Sequence, residues 1–119
     1  MNEMVTKIAN ILYDKKAQNI VALNVKDLTV ITDCMLIATG RSTIQVRTLA
    51  DEVEERLTEM GFEPIRKEGH QEGRWIVIDY GDVIVHIFNE ETRGFYDLER
   101  LWKDGKEVDI EQFLDNEGE

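Results

Sequence analysis

The chain offers few side chains with chemical reach: one serine (Ser42), one cysteine (Cys34), two histidines (His70 and His86) and a large set of carboxylates. Each admits a reactive reading and a plainer one. Ser42 could be a nucleophile, but the nucleophile elbow needs glycine two residues on, and Ile44 stands there. A serine ahead of an apolar periodic run is a helix cap instead. Cys34 lies in the apolar run Cys-Met-Leu-Ile-Ala-Thr, where nothing would lower a thiol pKa. His86 sits in the middle of an apolar stretch and His70 in a glycine-flanked one, with no spacing that suits zinc. A strand histidine in such company is a hydrogen-bonded sheet residue. Gly40-Arg41-Ser42, between a strand-like and a helix-like segment, resembles the opening of a nucleotidyl-transfer site. Such a site needs paired carboxylates at a spacing of two to hold a divalent metal. Asp79 and Asp82 are three apart and flank a turn, and the stretch after the helix offers Arg66 and Lys67 instead. No metal, cofactor or catalytic residue is expected, and the chain is not read as an enzyme.

Binding remains. The formal net charge is −11 over 119 residues, and the pI is near 4.6. Such a chain is repelled by phosphate backbones and anionic lipid, so direct nucleic-acid or membrane binding is not expected. Basic proteins are the favoured partners, because long-range attraction speeds their encounter. One cysteine and one proline exclude disulfide scaffolds and proline-rich linkers. No run approaches a membrane span, and no basic-then-apolar leader precedes residue 15, so a reducing cytoplasm is expected.

The elements that must position these groups follow from periodicity. Val5, Ile8, Ile11 and Leu12 predict a helix over 3–15. Strands follow at 20–25 and 34–39, with a polar turn between them. Ser42 caps a second helix, and Gln45 completes a capping-box pattern. Its apolar stripe is Val46, Leu49, Ala50, Val53, Leu57 and Met60, and Gly61 ends it. Residues 63–67 read as an edge strand because of Pro64. The segments 75–80 and 83–88 form a hairpin about Gly81-Asp82. A two-residue loop pairs Tyr80 with Val83. Ile76, Ile78, Tyr80, Val83, Val85 and Ile87 then share a core face. Trp75, Val77, Asp79, Ile84, His86 and Phe88 share the other. That second face combines aromatic anchors with polar groups, as an interaction patch does. Its alternative is a second, minor core under a helix. Asn89 caps a short helix that Gly94 interrupts, and a helical turn follows at 97–102. Residues 104–119 carry seven acids and one lysine and read as an acidic tail. The whole predicts one α/β domain over residues 1–105, a mixed sheet of about five strands flanked by helices, then a tail over 106–119.

Long blocks of this pattern resemble the ribosomal silencing factor family, whose relatives include Iojap. The blocks are Lys16-Ala17-Gln18-Asn19-Ile20-Val21, Thr32-Asp33, Ile37-Ala38-Thr39-Gly40, Ala50-Asp51-Glu52-Val53, Glu68-Gly69, the run 75–88 and the run 93–102. Cys34-Met35 replaces two common aromatics, Gln45 a frequent histidine, and Gly94 a common glutamate. The resemblance implies a nucleotidyltransferase-like fold that lacks the transferase carboxylates. It also implies binding to large-subunit ribosomal protein fourteen, obstruction of small-subunit joining when nutrients run short, and frequent homodimers. Organellar relatives imply the alternative of a large-subunit assembly factor acting through the same surface. The contact residues expected on these grounds are Trp75, Asp79, Tyr80, Asp82 and His86, joined by Glu68, Tyr96 and Asp97.

Overall fold

The computed structural model describes residues 3–101 and 106–108. Helix α1 (Glu3–Asp14) leads into β1 (Gln18–Asn24) and β2 (Cys34–Gly40). Helix α2 (Thr43–Glu59) precedes β3 (Arg66–Glu68), β4 (Trp75–Asp79) and β5 (Val83–Asn89). Two short helices, α3 (Glu90–Tyr96) and α4 (Leu98–Leu101), come before β6 (Lys106–Val108). The mixed sheet runs β3-β4-β5-β2-β1-β6, with β2 and β5 parallel and every other pair antiparallel. A sixth strand therefore joins the expected five, and it starts just past the expected domain boundary at 105. The helical turn expected over 97–102 is α4, whose expected last residue Trp102 lies outside the described residues, as does the rest of the acidic tail.

The two central strands, β2 and β5, are apolar on both faces, and all but Asn89 of their residues are buried. One face meets α1 and α2. There Val5, Ile8 and Leu12 of α1 and Val46, Leu49, Val53 and Leu57 of α2 close over Leu36, Ile76, Ile78, Val85 and Ile87. Met60 breaks from the expected stripe and is exposed, because it is the cap residue where the helix stops. Gly61, at φ 94°, makes the left-handed exit. Ser42 Oγ accepts from the Gln45 amide at 3.1 Å, as a cap should. The return bond differs from a standard box: Gln45 Oε1 takes the Arg41 amide at 2.6 Å.

The other face carries a smaller core of Leu23, Val25, Met35, Ile37, Ile84 and Phe88, met by Leu98 of α4. The hairpin register is the expected one: Trp75 opposes Phe88, Val77 opposes His86, and the Tyr80 amide donates to the Val83 carbonyl at 2.9 Å. Gly81 at φ 89° occupies the position of the two-residue loop that tolerates only glycine easily. Strand β3 is shorter and later than expected, at Arg66–Glu68, and it is the sheet edge. Gly94 does not interrupt α3. Asn89 Oδ1 accepts from the Thr92 amide at 2.9 Å, and the helix continues to Tyr96 before Asp97 turns it at φ 46°. A glycine costs a helix about 1 kcal/mol, which the cap and the anchorage of Arg93 offset.

Gly69 sits where the β3–β4 connection begins, at φ 86°, and a Cβ there would come within 2.0 Å of the Trp75 carbonyl oxygen. Gly69→Ala should therefore destabilise the fold by at least about 2 kcal/mol and displace Trp75. Urea titration and the near-ultraviolet dichroism of tryptophan check both effects. Wild-type stability with an unchanged spectrum would contradict this account of the loop.

Candidate functional site

The aromatic groups of the second face gather where β4 begins and α3 ends. The Trp75 ring stacks on Phe88, with centroids 5.0 Å apart and planes inclined by 23°. Tyr96 leans on the same indole at 4.7 Å, and Phe95 meets Tyr96 edge-on at 5.0 Å. Phe88 is fully buried and forms the floor. Phe95 is 79% exposed and Tyr96 50% exposed, so the upper rings face solvent. The face is thus both things the sequence left open: a minor core beneath, and an aromatic surface above it.

His86 sets the orientation of Trp75. The indole Nε1–H donates to His86 Nδ1 at 3.0 Å. An indole can only donate, so Nδ1 must be the unprotonated nitrogen and the neutral ring carries its hydrogen on Nε2. That nitrogen faces Met35 Sδ at 3.3 Å, a weak acceptor that asks little of it. Burial holds the imidazole pKa down to about 4. A protonated ring would turn a donor toward the indole donor.

Arg93 holds α3 in place. Its Nη1 donates to the Asn19 carbonyl and, at 2.7 Å, to Thr39 Oγ1, while Nη2 pairs with Glu99 Oε2 at 2.7 Å. Asn19 has φ 50° and lies where β1 slips register against β2. One guanidinium thus ties a bulge, a central strand and α4 to the helix that presents Phe95 and Tyr96.

The expected contact residues divide. Glu68, Trp75, Asp79 and His86 share the second face, since Glu68 opposes Val77 and Arg66 opposes Asp79 across the edge pair. Tyr96 and Asp97 arrive beside Trp75 at the end of α3. Asp82 is exposed but lies in the turn, about 17 Å along the strand from Trp75 at ~3.3 Å per residue. Asp79 is half-buried. Its side chain is 14% exposed, lies 3.7 Å from Arg66 Nη2, and accepts the Gly81 amide at 2.8 Å, so it shapes the turn. Tyr80 is 8% exposed and packs in the main core beneath the helices, where it offers no outward anchor. Its hydroxyl has no hydrogen-bond partner among the described residues, and burial, reinforced by Glu54 and Glu63, pushes its pKa up. Phe95 and Arg93 were missed as contributors. Adjacent residues on a helix point about 100° apart, so the pair Phe95-Tyr96 could have signalled one outward ring.

The other chemical candidates are structural. Cys34 is buried, and desolvation pushes its thiol up to about 11 despite a backbone hydrogen bond involving Leu23. His70 Nε2 meets Asp51 Oδ1 at 2.7 Å on the surface of α2. Among the described residues, no three His, Cys, Asp or Glu groups are arranged to hold a metal ion. No described helix is long and apolar enough to cross a membrane.

The family model described as ribosomal silencing factor during starvation matches residues 1–119. The chain belongs to the ribosomal silencing factor family. A ribosomal silencing factor RsfS of Halalkalibacterium halodurans is 42% identical over 109 residues, covering 92% of this chain and 93% of that one. That of Bacillus subtilis is 38% identical, over 82% of this chain and 83% of its own. A crystal structure from Chromobacterium violaceum superposes with a TM-score of 0.82 at 37% identity, covering 87% of this chain and 88% of that one. The chain thus shares its fold with that structure, and here the orientation of Trp75 hangs on a neutral histidine.

That dependence has a pH signature. The unfolded chain protonates His86 near 6.5 and the folded chain only near 4. Between those values the unfolded state binds more protons, so stability rises with pH across the window and falls as the solution is acidified. The loss from this group should total about 3 kcal/mol. His86→Gln keeps an acceptor for the indole but cannot titrate. Urea unfolding between pH 7.5 and 4 should show the wild type losing about that much more than the variant; equal slopes would contradict the assignment.

Proposed function

We propose that this chain docks on the large ribosomal subunit through ribosomal protein fourteen and blocks joining of the small subunit by occupying its place. The observation that carries the reading is the solvent-facing Trp75–Tyr96–Phe95 cluster on a domain of net charge −11. Interfaces centre on large rings of low conformational entropy ringed by polar groups, and this cluster has Glu68 and Asp97 beside it. The acidic domain draws in a basic protein from a distance, and the rings supply the close fit. Obstruction needs no bond made or broken, so the reading assigns no catalytic residue, metal or cofactor. The setting is the cytoplasm, where subunits join. The contact surface is Trp75, Tyr96, Asp97 and Glu68, with His86 acting through Trp75 and Asp79 through the hairpin turn. Asp82 belongs to it only if the partner reaches the far end of the hairpin. A homodimer using the same rings would compete with docking.

Sedimentation through sucrose tests this directly. The chain should travel with free large subunits and lower the yield of joined ribosomes in a reassociation assay. Folded Trp75→Ala and Tyr96→Ala variants should bind at least about tenfold more weakly. The association rate should fall as salt rises. A chain that stays at the top of the gradient, or variants that bind as the wild type does, would overturn the reading.

A further inference from the structure

A cavity of about 430 Å3 opens between the loop 69–74 and α3. The rings of Trp75, Phe95 and Tyr96 form part of its wall, and Glu72, Arg74 and Glu91 also line it. The two carboxylates make no ion pair among the described residues, and neither does Arg74. Other charged groups nearby are occupied. Arg47 donates to the carbonyls of His70, Gln71 and Glu72, at 3.0, 2.8 and 3.2 Å, which holds the loop that presents Glu72. Gly73 packs against it, with Arg47 and the Thr43 carbonyl about where a Cβ would lie. Arg93 is committed to Thr39 and Glu99. The cavity therefore combines aromatic faces with unpaired carboxylates and a net negative lining.

We propose that this cavity seats an arginine side chain of the basic protein partner, a statement that rests on the docking reading above and names the group that enters. A guanidinium is planar, so it stacks on an indole or phenol face. Its forked N–H groups reach two carboxylates at once, which an ammonium on a flexible stem does less well. The chain's overall charge favours a basic partner over an acidic one. The seat fixes register: the rings supply area, and Glu72 and Glu91 decide which partner residue lies over them.

Blocked arginine (N-acetyl-arginine amide) and its uncharged analogue, blocked citrulline, are titrated into the full chain. The Trp75 indole N–H resonance is followed, identified by its absence from Trp75→Phe. Arginine should shift it saturably at millimolar concentration, citrulline should not, and E72Q/E91Q should weaken the arginine response at least about fivefold while keeping the thermal melt. Equal shifts with citrulline, or an unchanged response in the double variant, overturn the seat. In co-sedimentation, E72Q/E91Q should bind large subunits about tenfold more weakly than the wild type. Wild-type binding by the double variant overturns the seat and leaves the docking reading standing. A wild-type chain that ignores large subunits overturns the docking reading and the seat's occupant together. Self-association lost in E72Q/E91Q with subunit binding unchanged would assign the cavity to a second copy, and also overturns the proposal.

Discussion

An indole at the start of a strand has one polar atom and a large ring, and it takes its orientation from whichever acceptor meets its N–H. Here the acceptor is a histidine on the neighbouring strand, buried deeply enough to stay neutral at physiological pH. The bond holds Trp75 over Phe88, and Tyr96 then has a ring to rest on. Remove the acceptor and the indole has a choice of rotamers, each costing the helix beyond it a contact. The aromatic surface is therefore a consequence of a protonation state as much as of packing.

Electrostatics sorts the rest of the surface. Several of the chain's cations are spent within the fold: Lys67 on Glu54 at 2.6 Å, Arg56 on Glu52 at 2.8 Å, and Arg93 on Glu99. The first two are partly exposed, and such pairs stabilise little, typically about 0.2–1 kcal/mol each, whereas the Arg93 side chain is largely buried. Their larger effect is on what remains. With these cations engaged elsewhere, Glu72 and Glu91 beside the rings make no ion pair among the described residues.

Much of the frame was legible because its signals are local. The two-residue loop at Gly81-Asp82 sets both register and face, so the division of the hairpin into a core side and an aromatic side could be read directly. The cap at Ser42 and the exit at Gly61 marked α2 for the same reason. Other features depended on neighbours distant in sequence. The pairing of Asp79 with Arg66, thirteen residues earlier, depends on the edge pair that places the two across from each other. Gly94 looked like a break, but the guanidinium one residue before it is anchored on Asn19 and Thr39, more than fifty residues away.

By itself the sequence determined the alternation of the strands, the sign of the charge and the family. These are properties of short periods and of composition, which no distant residue can reverse. Only the tertiary structure decided which residues of the mixed face reach solvent. Trp75 and Phe88 oppose each other in the ladder with the same pattern, yet one is floor and the other is surface, because α3 and α4 cover the face unevenly. The tertiary structure also removed Tyr80 from the surface, since α2 lies over its side of the sheet. A contact surface is set by what packs above it, and that depends on elements the local pattern does not contain.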